Sequence, residues 1–309
     1  MKPKILCLTS DFNLSIYSIV SRTYAKLWSM IKGDLNAADK LGIMNVFHAS
    51  ILGIGIIVVV ATHSAAQVAT NIQQAILNEP YQSTAEVSTQ EFKQILAAGT
   101  ATIFDARPLQ EFAISHIPGA RNVAAKPGTP MSEYVPDIAE IGRAVAGDKK
   151  APMILYCNGP FCGKSKRLAE ELLADGYINV RRYQLGIPVW RALGGICQIE
   201  AEGLSYVLEQ DRTAVVIDVR EPEQFRAGTL PGAHNIPSTL VLAGKDVGEI
   251  KRAKDDGRLP MEDHNTRLIV VGNETAAARY VAQAIANEAF DNVAYFAGSF
   301  AEANALIQK

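Results

Sequence analysis

The chain has 309 residues, with 30 basic and 32 acidic side chains and a formal net charge of −2. That length holds two ordinary domains plus an extra segment, and 48% hydrophobic against 20% charged residues excludes a disordered chain. The near balance of charge, with no long basic block, gives no support for a nucleic-acid partner. Four cysteines, Cys7, Cys157, Cys162 and Cys197, are too few and too irregular for a disulfide framework. No Cys/His set has zinc-site spacing, so no metal is expected.

The first distinct segment is residues 1–66. Residues 49–61 read ASILGIGIIVVVA, an uncharged apolar run of 13 residues, and the stretch 46–62 reaches 17. A spanning helix wants about 20 apolar residues, and a secretory core about 7–15 followed by small residues. Ser64-Ala65-Ala66 supplies such residues, so a cleaved signal peptide with cleavage near Gln67 is expected. An uncleaved membrane anchor through residues 46–62 and a buried apolar helix are the alternatives. The 48 residues before the run are long for a signal, which makes Met30 or Met44 a candidate start. The first two readings place the rest of the chain in the periplasm or otherwise exported, or tethered to a membrane.

The remainder is organised by a repeat at an offset of 113 residues. Phe104-Asp105-Ala106-Arg107 matches Ile217-Asp218-Val219-Arg220, Phe112 matches Phe225, and Pro118-Gly119-Ala120 matches Pro231-Gly232-Ala233. Asn122 matches Asn235, and the register persists to Asn179-Val180 and Asn292-Val293. A period this long means duplicated domains, not a solenoid. We expect them at 85–195 and 199–309, separated where Gly194-Gly195 breaks the pattern.

In chain order, copy one predicts a helix at 89–98 and a strand at 101–104. A possible helix at 138–146 and a strand at 153–156 follow. Then come a helix at 165–175, a strand at 179–183 and a helix from about Pro188. Copy two predicts strands at 214–217 and 268–271, a helix at 276–287 and a strand at 292–296. Short apolar strands alternating with helices imply α/β domains, each a parallel sheet with helices on both faces.

These motifs resemble the rhodanese family. The entry signature is Asp105-Ala106-Arg107, Phe112 and His116-Ile117-Pro118-Gly119-Ala120-Arg121-Asn122 in copy one. In copy two it is Asp218-Val219-Arg220, Phe225 and Leu230-Pro231-Gly232-Ala233-His234-Asn235. The exit signature is Gly176-Tyr177-Ile178-Asn179-Val180, then Leu185-Gly186 and Trp190. The resemblance covers about residues 85–309 and implies two rhodanese-like domains. Most of these residues read as scaffold: Asp105 with Arg107 as an internal ion pair, His116 as a turn residue, Trp190 as packing.

In the family, the nucleophilic cysteine sits at a strand exit, in a loop whose amides curl around it. Here Tyr156 leads into Cys157-Asn158-Gly159-Pro160-Phe161-Cys162-Gly163-Lys164-Ser165. The resemblance implies that Cys157 is the nucleophile, with Asn158, Gly159, Phe161, Gly163, Lys164 and Ser165 forming the substrate pocket. Amide N–H groups and a helix N-terminus lower a thiol pKa and hold an anion. Copy two has Gly272-Asn273-Glu274 at the matching strand exit and no cysteine, so it resembles an inactive domain.

The implied activity is sulfur transfer from a small anionic donor such as thiosulfate to a thiol or other thiophilic acceptor, through a Cys157 persulfide and without a cofactor. Two features depart from the pattern: the loop is longer than in many single-domain members, and Lys164 stands where arginine is usual. Longer loops in this fold family go with larger oxyanions, but lysine is a poor substitute for the arginine fork of a phosphatase or arsenate reductase. Cys162, five residues on, is a candidate resolving cysteine, which makes a thiol–disulfide redox protein the main rival. A non-enzymatic sulfur-binding or regulatory module is another. Cys197 reads as a small apolar residue.

Overall fold

Two four-residue runs, Met153–Tyr156 (MILY) and Leu268–Val271 (LIVV), are buried at every position. Strands covered on both faces read this way because helices close both sides of a parallel sheet. The structure, a computed structural model, describes residues 71–124 and 138–307. The apolar run 46–62, the small-residue site at 64–66 and Cys7 all lie outside the described residues. Among the described residues, no helix is long and apolar enough to cross a membrane.

The first sheet holds β1 (Ala85–Glu86), β2 (Thr102–Asp105), β3 (Arg121–Asn122), β4 (Met153–Tyr156) and β5 (Val180–Tyr183), in the order β1-β5-β4-β2-β3. The second holds β6 (Cys197–Ile199), β7 (Val215–Asp218), β8 (His234–Asn235), β9 (Leu268–Val271) and β10 (Val293–Phe296), in the order β6-β10-β9-β7-β8. Every pairing is parallel. Renumbered from its own start, the second order is the same as the first, so the sequence repeat is a repeat of topology. In each sheet the middle strand, β4 or β9, carries the loop on which the two copies differ.

The helices of the first copy are α1 (Thr89–Ala98), α2 (Leu109–Ile114), α3 (Ile138–Ala144), α4 (Lys164–Ala174) and α5 (Gly186–Ala192). Those of the second are α6 (Ala201–Gln210), α7 (Pro222–Ala227), α8 (Gly248–Asp255), α9 (Thr275–Ala286) and α10 (Phe300–Leu306). Local chemistry sets several ends. Ser88 accepts from the Glu91 amide at 3.2 Å to start α1, and Gly99, at φ +61°, closes it by donating to the Ile95 carbonyl. A reciprocal Ser299/Glu302 capping box starts α10. The sequence reading differs from the structure at α5, which begins at Gly186 rather than near Pro188. It also left out α2, α7 and α10, six or seven residues each, whose periodicity is too short to read, and named neither α6 nor α8 in copy two.

The two copies share a core. One buried apolar cluster runs from Phe92, Ile117, Ile154 and Trp190 to Leu204, Val207, Ile269 and Phe296. Across the seam the His116 amide donates to the Gln198 carbonyl at 3.0 Å, and the Gln198 amide donates back at 2.8 Å. Gly203 lies so close to the Ala113 carbonyl that any Cβ there would clash with backbone.

Candidate functional site

The Asp-x-Arg pairs are scaffold in both copies. Arg107 Nε donates to Asp105 Oδ1 at 3.0 Å, and its Nη2 donates to Asp105 Oδ2 at 2.5 Å and to the Ser115 carbonyl at 2.6 Å. Arg220 repeats the fork on Asp218 and donates to the Gly228 carbonyl at 2.6 Å. Each fork ties the end of a strand to the turn that follows. His116 is also structural. It is buried, stacks on Phe112, and places Nδ1 3.0 Å from the Phe112 carbonyl and Nε2 3.3 Å from Glu200 Oε1. Burial lowers its pKa to about 4. Trp190 is buried, donates from Nε1 to the Ile196 carbonyl at 2.9 Å and packs against Phe92. Cys197 is fully buried in β6.

Cys157 is the first residue beyond β4, at the carboxyl end of the middle strand, which is where open α/β sheets take their ligands. Its side chain is 2% exposed. The loop from Cys157 to Gly163 is held by its backbone. The Ile187 amide donates to the Cys157 carbonyl at 3.2 Å, and the Cys162 amide donates to the Gly159 carbonyl at 3.0 Å. Gly159 sits at φ +101° and Gly186 at φ +66°. A Cβ on Gly186 would lie 2.5 Å from the Cys157 carbonyl oxygen and clash with the Gly159 backbone, so glycine is required where α5 begins.

The structure bonds Cys157 to Cys162 in a disulfide with a Cα–Cα separation of 6.3 Å, inside the usual range of about 4.4–6.8 Å. The two cysteines differ in access. Cys162 is half-buried and lines a cavity of about 360 Å³, whereas Cys157 does not reach its wall.

The other residues expected in the pocket are divided. Phe161 and Gly163 line the cavity with Cys162, and Phe161 is fully exposed. Asn158 points elsewhere, its Nδ2 donating to Glu111 Oε2 at 2.5 Å. Ser165 is buried below the loop, where its Oγ accepts from Arg182 Nη2 at 3.5 Å. Lys164 is the first residue of α4, and the lysine on the cavity wall is Lys166. Not every residue from 158 to 163 can offer an amide to an anion. Pro160 has no N–H and the Cys162 amide is engaged, which leaves at most four.

Sequence reasoning missed Glu79, Arg182 and Gln184 on the same cavity. Arg182 is 1% exposed, and both its Nε and Gln184 Oε1 are buried without a hydrogen-bond partner. Among the described residues, no group of three or more His, Cys, Asp or Glu side chains could hold a metal.

In copy two, Gly272 occupies the place of Cys157, and the loop to α9 is only Gly272-Asn273-Glu274. No cysteine follows Cys197 in the chain.

Two parallel five-stranded sheets of one topology, with a cysteine loop at the carboxyl edge of only the first, define a tandem α/β protein with its candidate site in the first copy. A family model described as "Rhodanese-like domain" matches residues 88–193 and again 203–305. The chain belongs to the rhodanese-like domain family.

Among its curated relatives is the "Putative thiosulfate sulfurtransferase SseB" of Mycobacterium tuberculosis. It is 29% identical over 184 residues, 49% of this chain and 63% of that protein. The "HTH-type transcriptional regulator Rv0324" of the same species is 32% identical over 97 residues, 31% of this chain and 37% of that protein. The chain thus spans about a third to two thirds of the length of these relatives. Among solved structures, SseA from Escherichia coli, described as a 3-mercaptopyruvate sulfotransferase, is 22% identical. That match covers 70% of this chain and 99% of that one, at a TM-score of 0.30, too low to argue from.

Proposed function

We propose that this protein is a sulfurtransferase whose first domain works through Cys157 and whose second domain is a catalytically silent scaffold. The observation that carries the reading is the placement of Cys157 at the exit of the middle strand, against Gly272 at the same place in an otherwise equivalent domain. In the proposed reaction the Cys157 thiolate attacks the outer sulfur of an anionic donor such as thiosulfate. The new S–S bond gives a Cys157 persulfide, and the electron pair of the broken bond leaves on sulfite. A thiophilic acceptor then attacks the outer sulfur of the persulfide, carries it away and restores the thiolate. The α4 N-terminus and the remaining loop amides favour negative charge at this point.

The disulfide adds a condition: Cys157 has to be reduced before it accepts sulfur. It also supports the second reading, a thiol–disulfide redox protein using Cys157 and Cys162. The test is turnover of thiosulfate with cyanide by pre-reduced protein. Wild type and Cys162→Ser are expected to be active and Cys157→Ser inactive. A dead Cys162→Ser protein beside a readily re-forming disulfide in wild type would favour the redox reading instead. We further propose, from the run at 46–62 and Ser64-Ala65-Ala66, that the chain is exported, with a mature end near Gln67. Full-length protein in the cytosol of a Gram-negative host, with Met1 intact and no membrane association, would contradict this.

A further inference from the structure

The cavity beside the loop opens on Cys162 and not on Cys157, and it contains a buried guanidinium whose Nε has no partner. Arg182 comes from β5, and among the described residues its guanidinium meets Ser165 Oγ at 3.5 Å and Glu79 Oε2 at 4.0 Å, both long, with the carboxylates of Glu86 and Glu170 acting on it from farther away. A buried cation so weakly satisfied is costly unless something else engages it. Lys166 adds a second positive charge at the wall, while Pro160 and Phe161 supply apolar surface. Glu79 is the one carboxylate among the described residues of the wall, and an incoming anion would have to displace its loose contact with Arg182. Copy two has Tyr295 where copy one has Arg182, with its hydroxyl 3.3 Å from Gln198 Oε1. The guanidinium therefore belongs to the cysteine-bearing domain alone.

We propose that this cavity is the docking site of a small thiol carrying an anionic group, which binds that group on Arg182 and Lys166 and reduces the Cys157–Cys162 disulfide by attack at Cys162. The proposal rests on the reading of Cys157 as the working nucleophile, since it explains how that residue is released. The ligand thiolate forms a new S–S bond to Cys162 Sγ. The Cys157–Cys162 bond breaks, and its electron pair leaves on Cys157, which becomes a thiolate. A second molecule of the thiol attacks the ligand sulfur of the mixed disulfide, giving the ligand disulfide and a Cys162 thiolate. In sum, two thiols are oxidised to one disulfide, the protein disulfide is reduced, and the two thiol protons pass to the two cysteines. Attack on the accessible cysteine sets the direction: the adduct is held on Cys162 while Cys157, the buried partner, leaves free to take sulfur.

The experiment uses full-length oxidised protein and two probes of equal shape, 3-mercaptopropionate and its neutral amide, each normalised by its rate against a small free disulfide. Wild type is expected to be reduced about tenfold faster by the carboxylate thiol, with saturation. Arg182→Met should remove that preference and leave the rate with the amide unchanged, and Arg182→Lys should keep part of it. Lys166→Ala, at a half-buried position in the first turn of α4, gives a smaller loss of preference and serves if Arg182→Met does not fold. Quenching early with an alkylating agent and mapping peptides should find the probe on Cys162 and the alkyl group on Cys157. Equal normalised rates for the two probes, a preference that survives Arg182→Met, or the probe found on Cys157 would overturn the proposal. Failure of the sulfurtransferase reading is seen separately: pre-reduced protein would then take no sulfur from thiosulfate, whatever the probes show.

Discussion

The loop after β4 has seven residues, Cys157 to Gly163, and the loop after β9 has three, Gly272 to Glu274. The frame around the two loops is shared: strand order, register, the Asp-x-Arg fork and the helix that follows. The difference teaches that this fold needs neither the cysteine nor the long loop to be stable. Seven residues give room for a tight internal turn, a disulfide and a cavity, whereas three can only hand the chain from strand to helix. Placing the missing atom in copy two should therefore not transfer the chemistry. In a Cys157→Ser background, Gly272→Cys is expected to leave thiosulfate turnover at least about a thousandfold below wild type, because no anion pocket surrounds the thiol. Turnover restored by that one residue would show that the scaffold, not the loop, activates the thiol.

A second break in the comparison lies one strand away. Gly186 starts α5 at φ +66°, against the backbone of Cys157 and Gly159, whereas its repeat partner Ser299 caps α10 in an ordinary extended conformation. Gly186→Ala is expected to cost about 2–4 kcal/mol and to displace the cysteine loop. Ser299→Ala should cost only about 1 kcal/mol, as loss of a cap. Denaturant unfolding of the two variants checks this, and equal costs would mean that α5 can shift away from the loop.

The seam between the copies supplies a pH effect of comparable size. Burial holds His116 at about 4 in the folded protein, and an unfolded histidine titrates near about 6.5. Between these values the unfolded chain binds the extra proton. The stabilisation is therefore complete above about 6.5 and is lost as pH falls toward 4, by up to roughly 3 kcal/mol. Glu200, which faces the imidazole, has its carboxyl pushed up by burial and gives an opposing slope just above its ordinary value. The informative quantity is thus wild type against His116→Gln at pH 7 and pH 4.5. The variant should lose less stability than wild type over that interval. Parallel losses would mean that His116 titrates normally.

The smallest effect falls on Lys164. It begins α4 but does not line the cavity, so Lys164→Ala should reduce kcat/KM for thiosulfate by roughly fivefold, about 1 kcal/mol, and Lys164→Arg should restore it. A loss above a hundredfold would place its ammonium directly on the donor.

The parts legible in the sequence are those that depend on local pattern and on repetition. MILY and LIVV read as buried strands because no polar residue interrupts them, and the offset of 113 carried both Asp-x-Arg forks and the Pro-Gly turns with it. Cys157 was legible because a strand exit is a position in the sequence as well as in space. Arg182 was not. In Val180-Arg181-Arg182-Tyr183 the two arginines look alike, yet Arg181 turns out to Glu91 at 2.7 Å while Arg182 is buried. Strand alternation says that they face opposite sides, and only packing by other elements decides which side is closed. The extent of the amide cradle was not legible for a related reason: which N–H groups remain for a ligand depends on turns made within the loop. The two-residue strands β1, β3 and β8 carry no periodicity of their own and exist because longer neighbours pair with them.

The central claim is that Cys157 alone carries sulfur and that the disulfide with Cys162 holds it in reserve. Intact mass, followed by peptide mapping, tests this most directly. Reduced protein, cleared of reductant and exposed to thiosulfate, should gain about one sulfur mass on the Cys157 peptide in wild type and in Cys162→Ser. Cys157→Ser should gain none, and oxidised wild type should gain none until it is reduced. Sulfur found on Cys162 or Cys197, or no gain in any reduced form, would contradict the account.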